Sequence, residues 1–337
     1  MILCRSKYAA ILPFVVALVT IVFVSTVFAT KHSELIKSPA FANPDEVMTM
    51  PDDWKNKPVR HPSQVGNADI YMTLSYQIYN YFAPRIQGFA LEKGFSINIK
   101  QGSCGSSTSA LMRKEVDIAS FCCSPSRTDR LPGVHFHALG IVPVAIVVNS
   151  DNPVNNLSLP DLMKVFRGEI VNWSQFGGED LLIQPVARLH CKTRPGRWRP
   201  LDSADDLSTN VLLVGAISDN LDFIARTPGG IGYESLPNIK HKDNHSRVKI
   251  LKIDGLDPVD LANLARGDYP YYRSYVFTTW EGDHMKNPLA REVIDFINAE
   301  IKSTGHLLGI IPAERLKAEG WRFYGDDLAG EPDNLTR

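Results

Sequence analysis

The chain has 337 residues, with 36 Lys plus Arg against 37 Asp plus Glu and a formal net charge of -1. That balance excludes a whole-chain field suited to nucleic acid or to an anionic membrane surface, so any selectivity for anions must be local. Single cores stop growing somewhere near 250–300 residues, by rough domain statistics, so two lobes are expected.

Arg5 and Lys7 precede an almost uncharged apolar run from Tyr8 to Ala29, followed by polar Thr30-Lys31-His32. This is the pattern of a secretory signal, and it predicts export to the periplasm. Residues 1–29 are read as a signal peptide or, if uncleaved, an N-terminal anchor, because about twenty apolar residues suffice to span a bilayer. Cys4 lies ahead of the run, which rules it out as the acylated cysteine of a lipoprotein. Residues 30–66 contain Pro39, Pro44, Pro51, Pro58 and Pro62 with little periodicity, and are read as an extended leader.

From Asp69 the pattern alternates. Ile70-Tyr71-Met72 reads as a strand, Ser75 as the cap of a helix running to about Leu91, and Phe95 to Lys100 as a second strand. Gly102 to Gly105 reads as a tight turn, Ser106 to Lys114 as a helix, and Asp117-Ile118-Ala119 as the next strand. Such alternation predicts mainly parallel sheets flanked by helices. Ile141 to Asn149 is a nearly continuous apolar run suited to a buried strand crossing between lobes. Ser158 and Pro160 open a helix that stops at Gly168. A helical pattern follows Asp206 as far as Arg226, Pro228-Gly229-Gly230 turns into a strand at Ile231-Gly232-Tyr233, and Leu289 to Ile301 forms an amphipathic helix.

Two segments carry chemistry. Gly102-Ser103-Cys104-Gly105-Ser106-Ser107-Thr108 places glycines and hydroxyls between a strand and a helix start, where backbone N–H groups attract an anion. A simple helix cap is the competing reading. Arg188 and then His190-Cys191-Lys192-Thr193-Arg194 form a basic cluster; guanidinium offers paired donors to an oxyanion, and a solvated basic loop is the alternative. Four cysteines follow the apolar run, Cys104, Cys122, Cys123 and Cys191, an even number that invites disulfides in an oxidising compartment without revealing their connectivity.

Between Asp69 and Phe323 the sequence resembles the phosphate-binding proteins of ABC transporters, with their type 2 periplasmic binding fold. The resemblance rests on Gly-Ser-Cys-Gly-Ser-Ser at 102–107, Glu115-Val116-Asp117-Ile118-Ala119, Asn152-Pro153-Val154, Leu157-Ser158-Leu159 with Val165-Phe166-Arg167-Gly168-Glu169-Ile170-Val171-Asn172-Trp173, Pro228-Gly229-Gly230-Ile231-Gly232-Tyr233 and Tyr269-Pro270, all in order. It implies a two-lobed α/β fold, with residues 67–145 and 271–330 as one lobe, 146–270 as the other, and two crossing strands. It further implies capture of phosphate or a related small oxyanion by a monomer that serves an ABC transporter permease, with no cofactor. The charge balance argues against nucleic acid, and the lack of a Gly-x-Ser-x-Gly elbow, a Walker loop or a His-Glu-x-x-His pair argues against catalysis.

By position, Ser106 and Ser107 match one anion-binding loop of the family, Ser75 another and Arg188 the arginine before a third. Gly105, Thr108, Lys192, Thr193 and Arg194 complete the expected contacts. The sequence departs from the family at Phe121-Cys122-Cys123-Ser124 and His190-Cys191-Lys192-Thr193. If the fold is that of the family, Cys104, Cys122, Cys123 and Cys191 line the cleft as disulfides, as thiolates for a soft metal, or as groups for a thiol-seeking oxyanion. His135, His137 and His190 form no recognisable ligand series, and no residue is assigned to a metal. A Cys191–His190 nucleophile is the enzymatic alternative, without a third orienting group.

Overall fold

A computed structural model describes residues 38–62, 66–188, 191, 194–240 and 247–333. The expected signal or anchor in residues 1–29 lies outside the described residues. No helix among those described is long and apolar enough to cross a membrane.

The strands are β1 (Ile70–Ser75), β2 (Ile97–Gly102), β3 (Ala119–Phe121), β4 (Val134–Asn149), β5 (Asn156–Leu157), β6 (Gln184–Arg188), β7 (Leu212–Val214), β8 (Gly230–Ser235), β9 (Val248–Ile253), β10 (Tyr272–Trp280) and β11 (Ile311–Pro312). The helices that matter here are α1 (Tyr79–Lys93), α2 (Cys104–Met112), α3 (Leu159–Arg167), α4 (Ile217–Arg226) and α5 (Pro288–Leu308). Strands β3 to β11 form one nine-stranded sheet, ordered β3-β10-β4-β8-β6-β7, with β9 and β11 also pairing to β4. The parallel pair β1–β2 joins it through Met72 and Ile118.

The 16-residue β4 organises the two lobes. Its first part, Val134 to Pro143, pairs with β10, and its last part, Val144 to Asn149, pairs with β8 and β9. Burial on both faces explains its near-continuous apolar composition, since almost every residue from Phe136 onward is withdrawn from water. Apart from pairings to β4 and β10, strands β1 to β11 pair in parallel, as expected, and the antiparallel pairs of the large sheet all involve these two strands. β1–β2, β5–β9, β6–β7 and β6–β8 are parallel, whereas β4 runs antiparallel to each of its partners. Alternation along the sequence signals crossover units but says nothing of the direction of a strand shared by both lobes.

Local rules account for several boundaries. Ser158 caps α3 by accepting from the Asp161 N–H, Pro160 occupies its first turn, and Gly168 ends it at φ 76°. The expected turn at Gly102–Gly105 is instead the start of α2. Ser103 is its N-cap, in a reciprocal box with Ser106, so the helix begins at Cys104. Ser75 does not cap α1, whose N-cap is Ile78 without a side-chain bond. The helical pattern after Asp206 resolves into β7 followed by α4. The leader is not detached where it is described. Ala40 and Phe41 are buried, the Met48 N–H bonds to the Arg130 carbonyl and the Trp54 indole bonds to the Met112 carbonyl.

Candidate functional site

The expected site residues separate into three groups. Some face water or satisfy the helix start. Ser106 is exposed, and its hydroxyl accepts from the Ser103 N–H and donates to the Ser103 carbonyl; Gly105 is exposed beside it. Ser106 thus serves the helix start, as the capping reading has it. Ser75 is fully buried at the end of β1, where its hydroxyl accepts from the Gln77 N–H and its own N–H donates to Ser120 Oγ. Ser107 Oγ donates to the Ser120 carbonyl and lies 2.9 Å from Thr73 Oγ1. Lys192 and Thr193 lie outside the described residues.

The second group consists of buried ion pairs. Arg188 donates from Nη1 to Glu234 Oε2 at 2.9 Å and from Nε to the Gly215 carbonyl at 3.1 Å. Glu234 also accepts from the Ser235 N–H and Asn238 Nδ2. Burial opposes its ionised form, but the charges of Arg188 and Arg273 outweigh burial and hold its carboxyl below the ordinary range. Arg194 reaches back to the first lobe and grips both oxygens of Asp129, donates to Thr108 Oγ1 at 2.7 Å and touches the Cys104 carbonyl at 3.3 Å. Burial disfavours its charge, yet Asp129 more than compensates and raises its pKa. Arg188 and Arg194 are therefore each paired with a buried carboxylate.

The third group is the cysteines. The sulfurs of Cys104, Cys122, Cys123 and Cys191, which come from the N-terminus of α2, the segment after β3 and the segment after β6, all lie within 4.8 Å of one another. Cys104 and Cys122 Sγ are 3.5 Å apart, a contact between thiols. Hydrogen bonding to Cys122 raises the Cys104 thiol pKa well above its ordinary value, and burial does the same for Cys123, so both stand as neutral thiols. Cys191 holds its place with φ at 61°.

Beside this cluster lies a residue that the sequence reading missed. Arg273, on β10, is buried to 2% exposure, points Nη1 at Cys123 Sγ at 3.6 Å and stacks on Trp198 with 5.0 Å to the ring centroid. Its Nε has no hydrogen-bond partner, and among the described residues no carboxylate lies within ion-pair distance of it. Arg273 pairs with Val142 and Ser235 with Val144; residues two apart on a strand share a face, so Arg273, Tyr275 and Ser235 lie on one face of the sheet where the lobes meet. Tyr275 Oη, Ser235 Oγ and Gln77 Nε2 are likewise buried without hydrogen-bond partners. Burial raises the Tyr275 pKa, which keeps its hydroxyl a donor. The signal available in the sequence was an arginine inside the aromatic and apolar run Tyr271 to Phe277, a position that a strand buries.

A family model described as a PBP superfamily domain matches residues 63–300. The phosphate-binding protein PstS of Bacillus subtilis is 31% identical over 189 residues, covering 54% of this chain and 58% of the relative, so the match spans under two thirds of that protein's length. Among solved structures, an ABC-type phosphate transport receptor from Vibrio cholerae superposes with a TM-score of 0.58 at 23% identity, covering 72% of this chain and 99% of the receptor. A putative phosphate ABC transporter substrate-binding protein with bound phosphate from Clostridium perfringens gives a TM-score of 0.61 at 19% identity, with 72% and 99% covered. The two-lobed sheet crossed by β4 agrees with these likenesses in fold, and the chain belongs to the PBP superfamily.

Proposed function

We propose that the protein is an exported solute receptor that closes its two lobes over phosphate or a related small oxyanion and delivers it to an ABC transporter permease. It acts as a monomeric binder rather than an enzyme. The observation that carries this reading is Arg273, a buried guanidinium that has, among the described residues, no carboxylate within ion-pair distance and an Nε without a hydrogen-bond partner. The longer-range charge of Glu234 leaves that donor unused, burying a charge without directly bonded partners costs several kcal/mol, and an anion with acceptor oxygens is its chemical complement. Tyr275 Oη and the Ser235 hydroxyl, buried and without partners, add neutral groups to the same face, and Gln77 Nε2 is likewise buried without a hydrogen-bond partner. The curated relative and the solved structures named above are described as phosphate receptors, and their lobed architecture supports the same use here.

Calorimetric titration of the full chain with phosphate, sulfate and arsenate tests the reading. Saturable binding of at least one of them is expected. A hydrogen bond to a charged group contributes roughly 1.5–3 kcal/mol, so Arg273→Met is expected to weaken that binding about 10- to 150-fold. A folded protein that takes up none of the three, or an Arg273→Met variant that binds unchanged, would end the proposal.

A further inference from the structure

The geometry points to a second site in the same cleft: Cys104, Cys122, Cys123 and Cys191 form a four-sulfur site for one thiophilic d10 cation of the zinc class, three ligands coming from the first lobe and one from the segment that follows β6. This goes beyond oxyanion capture and does not rest on it, although Arg273 borders both sites. A tetrahedral centre with metal–sulfur bonds of about 2.3 Å has its sulfurs roughly 3.8 Å apart. Here the four sulfurs are mutually within 4.8 Å, with the Cys104–Cys122 edge at 3.5 Å, so the cage has the dimensions of the ion before any rearrangement. Cys104, Cys122 and Cys123 are each no more than 2% exposed, which shields the bonds from water.

The surroundings suit thiolates. Four thiolates around a divalent cation carry a net charge of two minus. Arg273 lies 3.6 Å from Cys123 Sγ, and Arg194 is held 3.3 Å from the Cys104 carbonyl. The Cys122 N–H donates to Cys104 Sγ at 3.3 Å, the kind of outer contact that orients a ligating sulfur. Uptake converts four thiols and one divalent cation into the tetrathiolate complex and releases four protons to the buffer. Because Cys191 stands on the segment after β6 and the other three do not, the ion joins segments that are far apart in the sequence and fixes the lobes in the closed arrangement.

The test uses the full chain, reduced, stripped of metal by dialysis against a chelator and titrated with cadmium. Expected are one cadmium per chain, an ultraviolet sulfur-to-cadmium charge-transfer band that saturates at one equivalent, and a single cadmium-113 resonance in the all-sulfur range. Cys191→Ser, the least buried of the four, is expected to keep its far-ultraviolet dichroism while binding at least tenfold more weakly and shifting the resonance away from the all-sulfur range. Glu92→Gln, an exposed change on α1, serves as the control and leaves both readouts unchanged. No stoichiometric cadmium uptake by the reduced, folded chain overturns the site, as does a Cys191→Ser variant with the wild-type resonance and affinity. Isolation of the exported chain with a mass four hydrogens short, two cystines replacing four thiols, overturns it as well.

Discussion

Removing the Arg194 side chain isolates the contact that holds the segment after β6 against the first lobe. In Arg194→Met the hydrocarbon packing on Phe121 is largely kept, while both bonds to Asp129 and the bond to Thr108 are lost. Asp129 is fully buried, and breaking a buried pair by deleting one partner typically costs about 3–5 kcal/mol. Three donors remain to the carboxylate: the Ser126 N–H at 2.7 Å, the Ser126 hydroxyl at 2.8 Å and the Thr108 hydroxyl at 2.5 Å. Charge-assisted bonds of this kind soften the loss, so about 3 kcal/mol is expected, at the lower end of the range. Adding Asp129→Asn removes the orphaned charge and is expected to restore about half of it. Urea unfolding of the wild type, both single variants and the double variant gives the coupling energy directly. A single-variant loss below about 1 kcal/mol, the size seen for exposed pairs, would refute the reasoning. So would a double variant no more stable than the sum of the single effects.

His137 gives a pH dependence. Burial, aided by the charge of neighbouring His135, pushes its pKa from 6.5 down to about 4. The folded state thus binds this proton more weakly than the unfolded state, so its effect is absent above pH 6.5 and stability falls as the pH drops from 6.5 toward 4. The full loss is about 3 kcal/mol at 1.36 kcal/mol per pKa unit. Urea midpoints at pH 7 and pH 4.5 check it, and His137→Gln should flatten the difference; an unchanged slope in that variant would assign the effect elsewhere. At Gly232 an added Cβ would lie 2.9 Å from each of Asn220 Oδ1, Ile224 Cδ1 and Val186 Cγ1, hemmed in by β6 and α4. Gly232→Ala is accordingly expected to lose roughly 1–3 kcal/mol in the same assay through overpacking, and a neutral result would mean that α4 shifts freely.

Elements defined by residues a few positions apart were legible in the sequence. The Ser158, Pro160 and Gly168 signals bracket α3, and the amphipathic spacing of Ala290, Val293, Ile294 and Ile297 marks the buried face of α5. The errors at the start of α2 and at Ser75 have one origin. A hydroxyl near a helix start has several backbone N–H groups within reach, and Ser103 rather than a later serine won the N-cap position. The six motifs in order also carried the resemblance that implies a two-lobed α/β fold.

Which side chains meet was decided only by the tertiary structure. Arg188 and Arg194 stood out as anion donors because their charge is visible in the sequence, but Glu234 lies 46 positions from one and Asp129 65 from the other, and both carboxylates fold onto their arginines. Arg273 was hidden among aromatics, and its neighbours are set by the pairing of β10 with β4, which places its side chain beside Cys123 rather than within ion-pair distance of a carboxylate among the described residues. The four cysteines were legible as candidates, whereas their closeness depends on β3, α2 and the end of β6 converging around the crossing strand. Charge and polarity belong to single residues, but the cost of burying them depends on through-space partners that only strand order and register bring together.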